Sequence, residues 1–246
     1  MRLLFLLFFV TVTPDLLLAA FAFDAATDDV TITDNAAVTR PDGDWAIFCR
    51  FKLASNAGTG TSGIFGGGVI NSNSSINIYV REASNATDPN DIYCLPRDAG
   101  GDNSVVETIS TPGTSTAWQT VICQRSGGGA TAATHTLYVN GAQDGQLTNN
   151  AIDAIDPAVW CLGSTETSGA CNANGIENGM VGECAGWDRA LTVGEISALE
   201  KFSAGCVRDF TWWMPNVREY QEVSVPLSLT NSGTMISDSP PYIQCD

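Results

Sequence analysis

In "DWAIFCRF" the side chains of Trp45, Ile47, Cys49 and Phe51 fall on one side of an extended chain, and in "WQTVICQR" Val121 and Cys123 do the same. The same alternation, rich in β-branched and aromatic residues, recurs at roughly 21–24, 28–33, 45–52, 63–70, 75–82, 91–95, 105–109, 118–125, 135–140, 158–163 and 179–187. Gly, Asn, Asp and Ser fill the gaps. Many short strands at near-regular spacing predict an all-β, two-sheet antiparallel sandwich. The dipeptides Asn140-Gly141 and Asp144-Gly145 are hairpin signals, and 126–130 is a flexible connection. One helix is expected, over 193–203, where Ile196, Leu199 and Phe202 make a narrow apolar stripe. Thr192 is its N-cap and Glu195 the capping-box partner, with Gly205 marking the end.

A chain of 246 residues with 44% hydrophobic content fits one full-sized sandwich core. Only 11 Lys and Arg stand against 27 Asp and Glu, a net charge of −16. That field repels phosphate backbones and anionic lipid, so nucleic acid is excluded as a partner. The start of the chain changes the picture more. Met1-Arg2, the apolar run Leu3–Val10 and the small-residue pattern Ala20-Phe21-Ala22 outline a signal peptide, with cleavage giving a mature start at Phe21 or Phe23. Pro14-Asp15 interrupts the run well short of the ~20 residues a membrane span needs. The favoured expectation is that residues 1–22 are retained and pack as a strand, since so apolar a segment invites pairing with a sheet edge of its own or a neighbouring copy.

Eight cysteines are an even number, consistent with up to four disulfides in a secreted chain. Cys49, Cys123 and Cys184 are expected to be buried and unbridged, filling places suited to a small apolar residue, so that Cys184→Val costs under about 1.5 kcal/mol. Cys161 with Cys171, which flank a loop, and Cys206 with Cys245, which bracket the C-terminal segment, are the candidate disulfide partners. With a lone histidine and no Cys-x-x-Cys, a structural zinc site has no support.

The segments "FAFDAATDDVTITDNAAV", "DWAIFCRFK", "WQTVICQRSG…HTLYVNGAQDG", "VWCLGST" and "GMVGECAGWDRALTVGEISAL" occur in an order and spacing that resembles the laminin-G-like branch of the concanavalin A-like lectin/glucanase superfamily. The resemblance spans about 21–204 and implies a jelly roll whose short helix caps one end. It implies that Cys184 stands where relatives carry Val or Ile, and that Asp188 and Arg189 fix a turn. Three parts follow: an N-terminal segment 1–20, the sandwich 21–204 and a C-terminal extension 205–246. A tail of this kind is similar to those behind such domains in bacteriophage and environmental proteins, which implies a virion-associated structural role.

Catalysis is expected to be absent. Glycosidic hydrolysis needs two carboxyls at a fixed separation, which the glucanase branch carries as Glu-x-Asp-x-x-Glu. That pattern does not occur, and neither Glu177 with Glu183 nor Glu195 with Glu200 converges suitably. His135 in "THTLYV" is expected on an outward strand face. Calcium is not required; its candidate ligands are Asp24, Asp28 and Asp29, with Asp88 and Asp91 a second acidic loop. Asn172, Asn174 and Asn178 are the candidate glycan ligands, and Asn73 and Asn85 are glycosylation acceptors if the chain is secreted. The favoured function is a lectin-like, virion-surface structural protein of a bacteriophage, contacting other copies or virion proteins through the N-terminal segment, and carbohydrate. The alternative is a secreted, disulfide-bonded glycan-binding protein or fibre subunit, and the remote one a glycoside hydrolase.

Overall fold

Period-two patterning gives each strand one apolar face, and stacking two sheets face to face covers both sets at once. A computed structural model describes residues 20–23, 29–33, 43–53, 60–67, 75–83, 88–97, 105–127, 133–149, 159–167, 170–173, 175–176, 179–201, 212–214, 229–231 and 234–236. The strands among them are β1 (Ala20–Phe23), β2 (Val30–Thr33), β3 (Trp45–Leu53), β4 (Thr61–Gly67), β5 (Ser75–Arg81), β6 (Ile92–Arg97), β7 (Val106–Glu107), β8 (Gln119–Ser126), β9 (Ala133–Val139) and β10 (Ala142–Asn149). They continue with β11 (Val159–Leu162), β12 (Thr165–Thr167), β13 (Ala170–Ala173), β14 (Gly179–Trp187), β15 (Trp212–Met214), β16 (Leu229–Asn231) and β17 (Thr234–Ile236), and helix α1 spans Val193–Lys201. One sheet runs β10-β9-β8-β3-β14-β1-β17, with β15 also on β14; the other runs β16-β2-β11-β4-β5-β6-β7. Each described pairing within them is antiparallel. This is the jelly-roll sandwich expected from the alternation.

Trp45, Ile47, Cys49, Phe51, Val121 and Cys123 line the inner face of the first sheet and meet Ile76, Ile78, Val80, Ile92 and Trp160 of the second. The outer face of the first sheet is not left wet. Ala46, Phe48, Ile122, Ala185 and Trp187 form a second apolar cluster with Leu191, Ile196 and Leu199 of α1. Arg50, on that same outer face, donates to the carbonyls of Leu199 (2.7 Å) and Glu200 (3.4 Å), meeting acceptors that the helix end leaves open.

The helix start follows the capping-box expectation in detail. Glu195 N–H donates to Thr192 Oγ1 (3.3 Å), while Thr192 N–H donates to Glu195 Oε2 (2.8 Å). Arg189 adds a two-pronged contact to the same carboxylate, Nη2 to Oε1 at 2.6 Å and Nη1 to Oε2 at 2.9 Å. These bonds, the Arg189 guanidinium first among them, hold the Glu195 carboxyl down to about 2. Thr192→Ala is expected to lower stability by about 1 kcal/mol, with Thr192→Ser restoring most of it. Urea unfolding of the three proteins checks this.

Several expectations need correction. Cys49, Cys123 and Cys184 are buried, but each is in a disulfide: Cys49–Cys184 and Cys94–Cys123. Cys49 and Cys184 are directly opposed on β3 and β14, their Cα atoms 4.2 Å apart, which brings the two sulfurs within bonding reach. Cys94 on β6 and Cys123 on β8 instead join the two sheets. His135 does not face outward. It is fully buried, because it keeps phase with the inward Leu137 and Val139 two and four residues on. Asn140-Gly141 makes the β9–β10 turn with both φ positive (50° and 76°), as a tight hairpin requires. Asp144-Gly145 is not a turn but an irregularity within β10, where a side chain on Gly145 would strike the Glu107 carbonyl. Within the C-terminal part, the described residues 212–214, 229–231 and 234–236 form β15, β16 and β17, which pair with β14, β2 and β1. Residues 1–19, the body of the expected N-terminal segment, lie outside the described residues.

Candidate functional site

On β5 and β6 the core side chains are Ile76, Ile78, Val80, Ile92 and Cys94, so Ser75, Asn77, Tyr79, Arg81, Tyr93, Leu95 and Arg97 point away from the other sheet. Register places these in rows. Gly63, Tyr79, Tyr93 and Glu107 are consecutive partners across β4, β5, β6 and β7. One row along, Cys161, Gly66, Asn77 and Leu95 align across β11, β4, β5 and β6. Glycine at the β4 position of both rows leaves the backbone bare, so another segment can lie close upon it.

That segment is the β12–β13 hairpin. Cys171 of β13 is bonded to Cys161, which points outward between the inward Trp160 and Leu162, so the hairpin is fastened over the outer face. β12 packs on β4 and β5. The hairpin roofs one end of the outward stripe and leaves the other end partly open.

At the open end Tyr79 and Tyr93 stack, with centroids 5.2 Å apart and planes within 4°. The Arg81 guanidinium carbon lies 4.1 Å from the Tyr93 ring centre, a cation–π contact, and its Nη1 pairs with Asp88 at 3.2 Å. Tyr93 donates its hydroxyl proton to Glu107 Oε2 at 2.6 Å. Burial and that bond push the Tyr93 hydroxyl pKa strongly upward, and burial raises that of Tyr79. Burial also raises the Asp91 carboxyl, followed by the neighbouring charges of Asp88, Glu107 and Asp144. Asp88 and Asn90 hold positive φ (47° and 69°), the conformation their short polar side chains tolerate in tight turns. Asp144 braces the rim by accepting from the backbone N–H groups of Ile109 (3.0 Å) and Ser110 (2.9 Å) and from the Ser110 hydroxyl. The result is an aromatic pair with a cation and several carboxylates around it, in which Tyr79 is partly exposed and Tyr93 is buried beneath the stack.

The residues singled out from sequence fare differently. Asn172 sits in β13, beside the Cys171 attachment, while Asn174 and Asn178 lie outside the described residues. Asp24 and Asp28 are also outside them, and Asp29 accepts from the Thr31 hydroxyl at 2.9 Å. Cys206, Cys245, Asn73 and Asn85 are outside them too. Among the described residues no group of three or more His, Cys, Asp or Glu is placed to hold a metal ion, and no helix is long and apolar enough to cross a membrane. Glu183 is fully buried in β14. The outward tyrosines carry only a short local signal: in "INIYVRE" Tyr79 and in "IYCLPR" Tyr93 alternate with a strand's core residues.

Two stacked antiparallel sheets, a helix laid on one and a polar, aromatic stripe on the other define a lectin-like jelly roll. The chain belongs to the concanavalin A-like lectin/glucanases superfamily, whose profile matches residues 24–197. Among curated proteins none matches the chain. Among solved structures it is similar to a heptameric SAP-like pentraxin from Limulus polyphemus (16% identity, 89% of this chain and 93% of that one, TM-score 0.57). It is also similar to the CBM40 of the Ruminococcus gnavus IT-sialidase, solved with α2,3-sialyllactose (14% identity, 75% and 98%, TM-score 0.53). A third likeness, to NanB sialidase from Streptococcus pneumoniae (18% identity, TM-score 0.53), covers 74% of this chain but 27% of that one. At these identities the shared feature is the fold.

Proposed function

We propose that the chain is a secreted, non-catalytic glycan-binding domain that takes carbohydrate on the outward face of β5 and β6. The observation that carries this is the partly exposed Tyr79 ring, stacked on a buried Tyr93 that Arg81 covers. A flat aromatic edged by charged acceptors and donors suits a sugar, whose ring has an apolar face and a hydroxyl rim. The similarity of the fold to a carbohydrate-binding module supports the same reading. Three disulfides support secretion, since such bonds persist in oxidising compartments and are rare in a reducing cytosol. They favour this over the bacteriophage-virion reading, for which a chain assembled in the cytosol would be required.

A printed glycan array followed by calorimetry tests the proposal. Binding to at least one glycan is expected, and Tyr79→Ala should weaken it about tenfold, or about 1.4 kcal/mol, without loss of fold. An array with no binding, or affinity unchanged in Tyr79→Ala, would contradict it.

A further inference from the structure

The rows of the outward face fix which charges surround the Tyr79 ring. Arg81 and Asp91 oppose each other on β5 and at the start of β6, where Arg81 N–H donates to the Asp91 carbonyl at 2.9 Å, and the next row is Tyr79, Tyr93 and Glu107. The diagonal from Tyr79 to Asp91 is about 7–8 Å, and Glu107 stands two strands over, about 10 Å away. Asp88, in the turn between β5 and β6, lies 3.2 Å from Arg81 Nη1 and 3.2 Å from the Tyr93 hydroxyl. Asp144 adds a fourth carboxylate from β10, on the edge of the other sheet, and its charge acts on Asp91 together with those of Asp88 and Glu107. Arg81 is the cation in their midst, and it is fully engaged: Nη1 pairs with Asp88, the guanidinium carbon lies 4.1 Å from the Tyr93 ring centre, and the side chain donates to the Tyr79 hydroxyl. Arg97, on the same face of β6, is four residues beyond Tyr93, about 13 Å along the strand, which exceeds the ~10 Å over which exposed charges act in salt. The connections add no cation either, since from Glu82 to Asp91 and from Asp98 to Trp118 the sequence contains no Lys or Arg.

From this pattern we infer that the Tyr79 site ranks sugars by charge: amine-bearing units bind tightest, uncharged units next, and carboxylate-bearing units, sialic acid among them, weakest. This rests on the glycan-binding reading and names the substrate class of the same site. A carboxylate ligand is best held by the two-pronged edge of an arginine. Here Asp88 and the Tyr79 hydroxyl occupy donors of Arg81, so an incoming carboxylate must displace them. It also meets a field that is visible at Asp91, whose carboxyl is held above its ordinary range by burial and then by the charges of Asp88, Glu107 and Asp144. The net charge of −16 adds to that repulsion at longer range. An ammonium on the sugar ring meets the opposite situation, with carboxylates as charge-assisted acceptors around the ring. Uncharged hydroxyls fall between, as donors to the same carboxylates without a charge of their own. The α2,3-sialyllactose found on the fold-similar CBM40 is therefore a poor ligand for this face.

Calorimetry at about pH 6, below the range of an amine and above that of a carboxylate, tests the ranking with two probe pairs: lactose with 3′-sialyllactose, and chitotriose with its fully deacetylated form. The proteins are the full chain, the double variant Asp91→Asn/Glu107→Gln, which removes two charges at nearly constant shape and leaves the Arg81–Asp88 pair in place, and Tyr79→Ala. In wild type 3′-sialyllactose is expected to bind at least about tenfold more weakly than lactose, and deacetylated chitotriose at least about tenfold more tightly than chitotriose. Both gaps should narrow in the double variant, and again as salt is raised from ~0.05 to ~0.5 M. Asp91→Asn alone decides the matter if the double variant does not fold. Equal or reversed affinities within a pair that binds, with binding lost in Tyr79→Ala, overturn the ranking and leave the binding face standing. Gaps that neither the charge variants nor salt can move also overturn it, because shape would then set them. Undiminished binding in Tyr79→Ala overturns the binding face and the ranking with it. No binding of any probe by wild type overturns both.

Discussion

Cys184→Val is expected to reduce the unfolding free energy by about 4 kcal/mol, because the Cys49–Cys184 bridge closes a long loop, its ends 135 residues apart, and so restricts the unfolded chain. Volume alone would give a far smaller cost, under about 1.5 kcal/mol, since valine replaces a half-cystine in an apolar layer with little change of shape. The two accounts differ enough to separate by equilibrium urea unfolding under non-reducing conditions. Opening the same bridge in wild type with a reductant should move its curve towards that of the variant. A Cys184→Val protein within about 1.5 kcal/mol of wild type would show that the bridge does not constrain the unfolded chain.

The second large effect concerns acid. His135 is buried beside Trp45, with ring centroids 6.1 Å apart, and burial, helped by the Arg125 charge, lowers its pKa to about 4. In the unfolded chain an imidazole titrates near 6.5. Between those values the unfolded state binds more protons than the folded one. Stability should therefore fall as pH drops from about 6.5 to about 4, at up to ~1.4 kcal/mol per pH unit, and this contribution should level off outside the window. Glu195 acts lower down: with its folded pKa depressed to about 2, its share of stability is whole above the ordinary carboxylate range and is lost as pH falls towards 2. Unfolding free energies of wild type and His135→Leu from pH 7 to pH 4 isolate the histidine. The variant should show the shallower slope, and parallel profiles would refute the assignment.

The fold could be read from the chain because its strands repeat with period two, and Trp45, Ile47, Cys49 and Phe51 all emerged inside as that period requires. His135 could have been placed from the same phase, since Leu137 and Val139 are inward. Its polarity outweighed its position. The cysteines were harder. Alternation tells which face Cys49 and Cys184 occupy, but not that β3 and β14 become neighbours with those two residues opposed. That fact belongs to strand order, which carries across about 130 residues and leaves no local trace. The same holds for the binding face: "INIYVRE" and "IYCLPR" show Tyr79 and Tyr93 as outward residues, yet their stacking depends on β5 and β6 pairing in one register. Asp144-Gly145 shows the opposite failure, a strong local turn signal that β10 absorbs as a bulge.

Backbone amide spectra of the ¹⁵N-labelled protein, titrated with the glycan that the array selects, test the central claim most directly. Shift changes should concentrate on β5, β6 and the 88–91 turn, at Asn77, Tyr79, Arg81, Asp91 and Tyr93, and fade towards α1 on the opposite sheet. Changes centred on α1 and the outer face of β3 and β8, with those five residues unmoved, would contradict it.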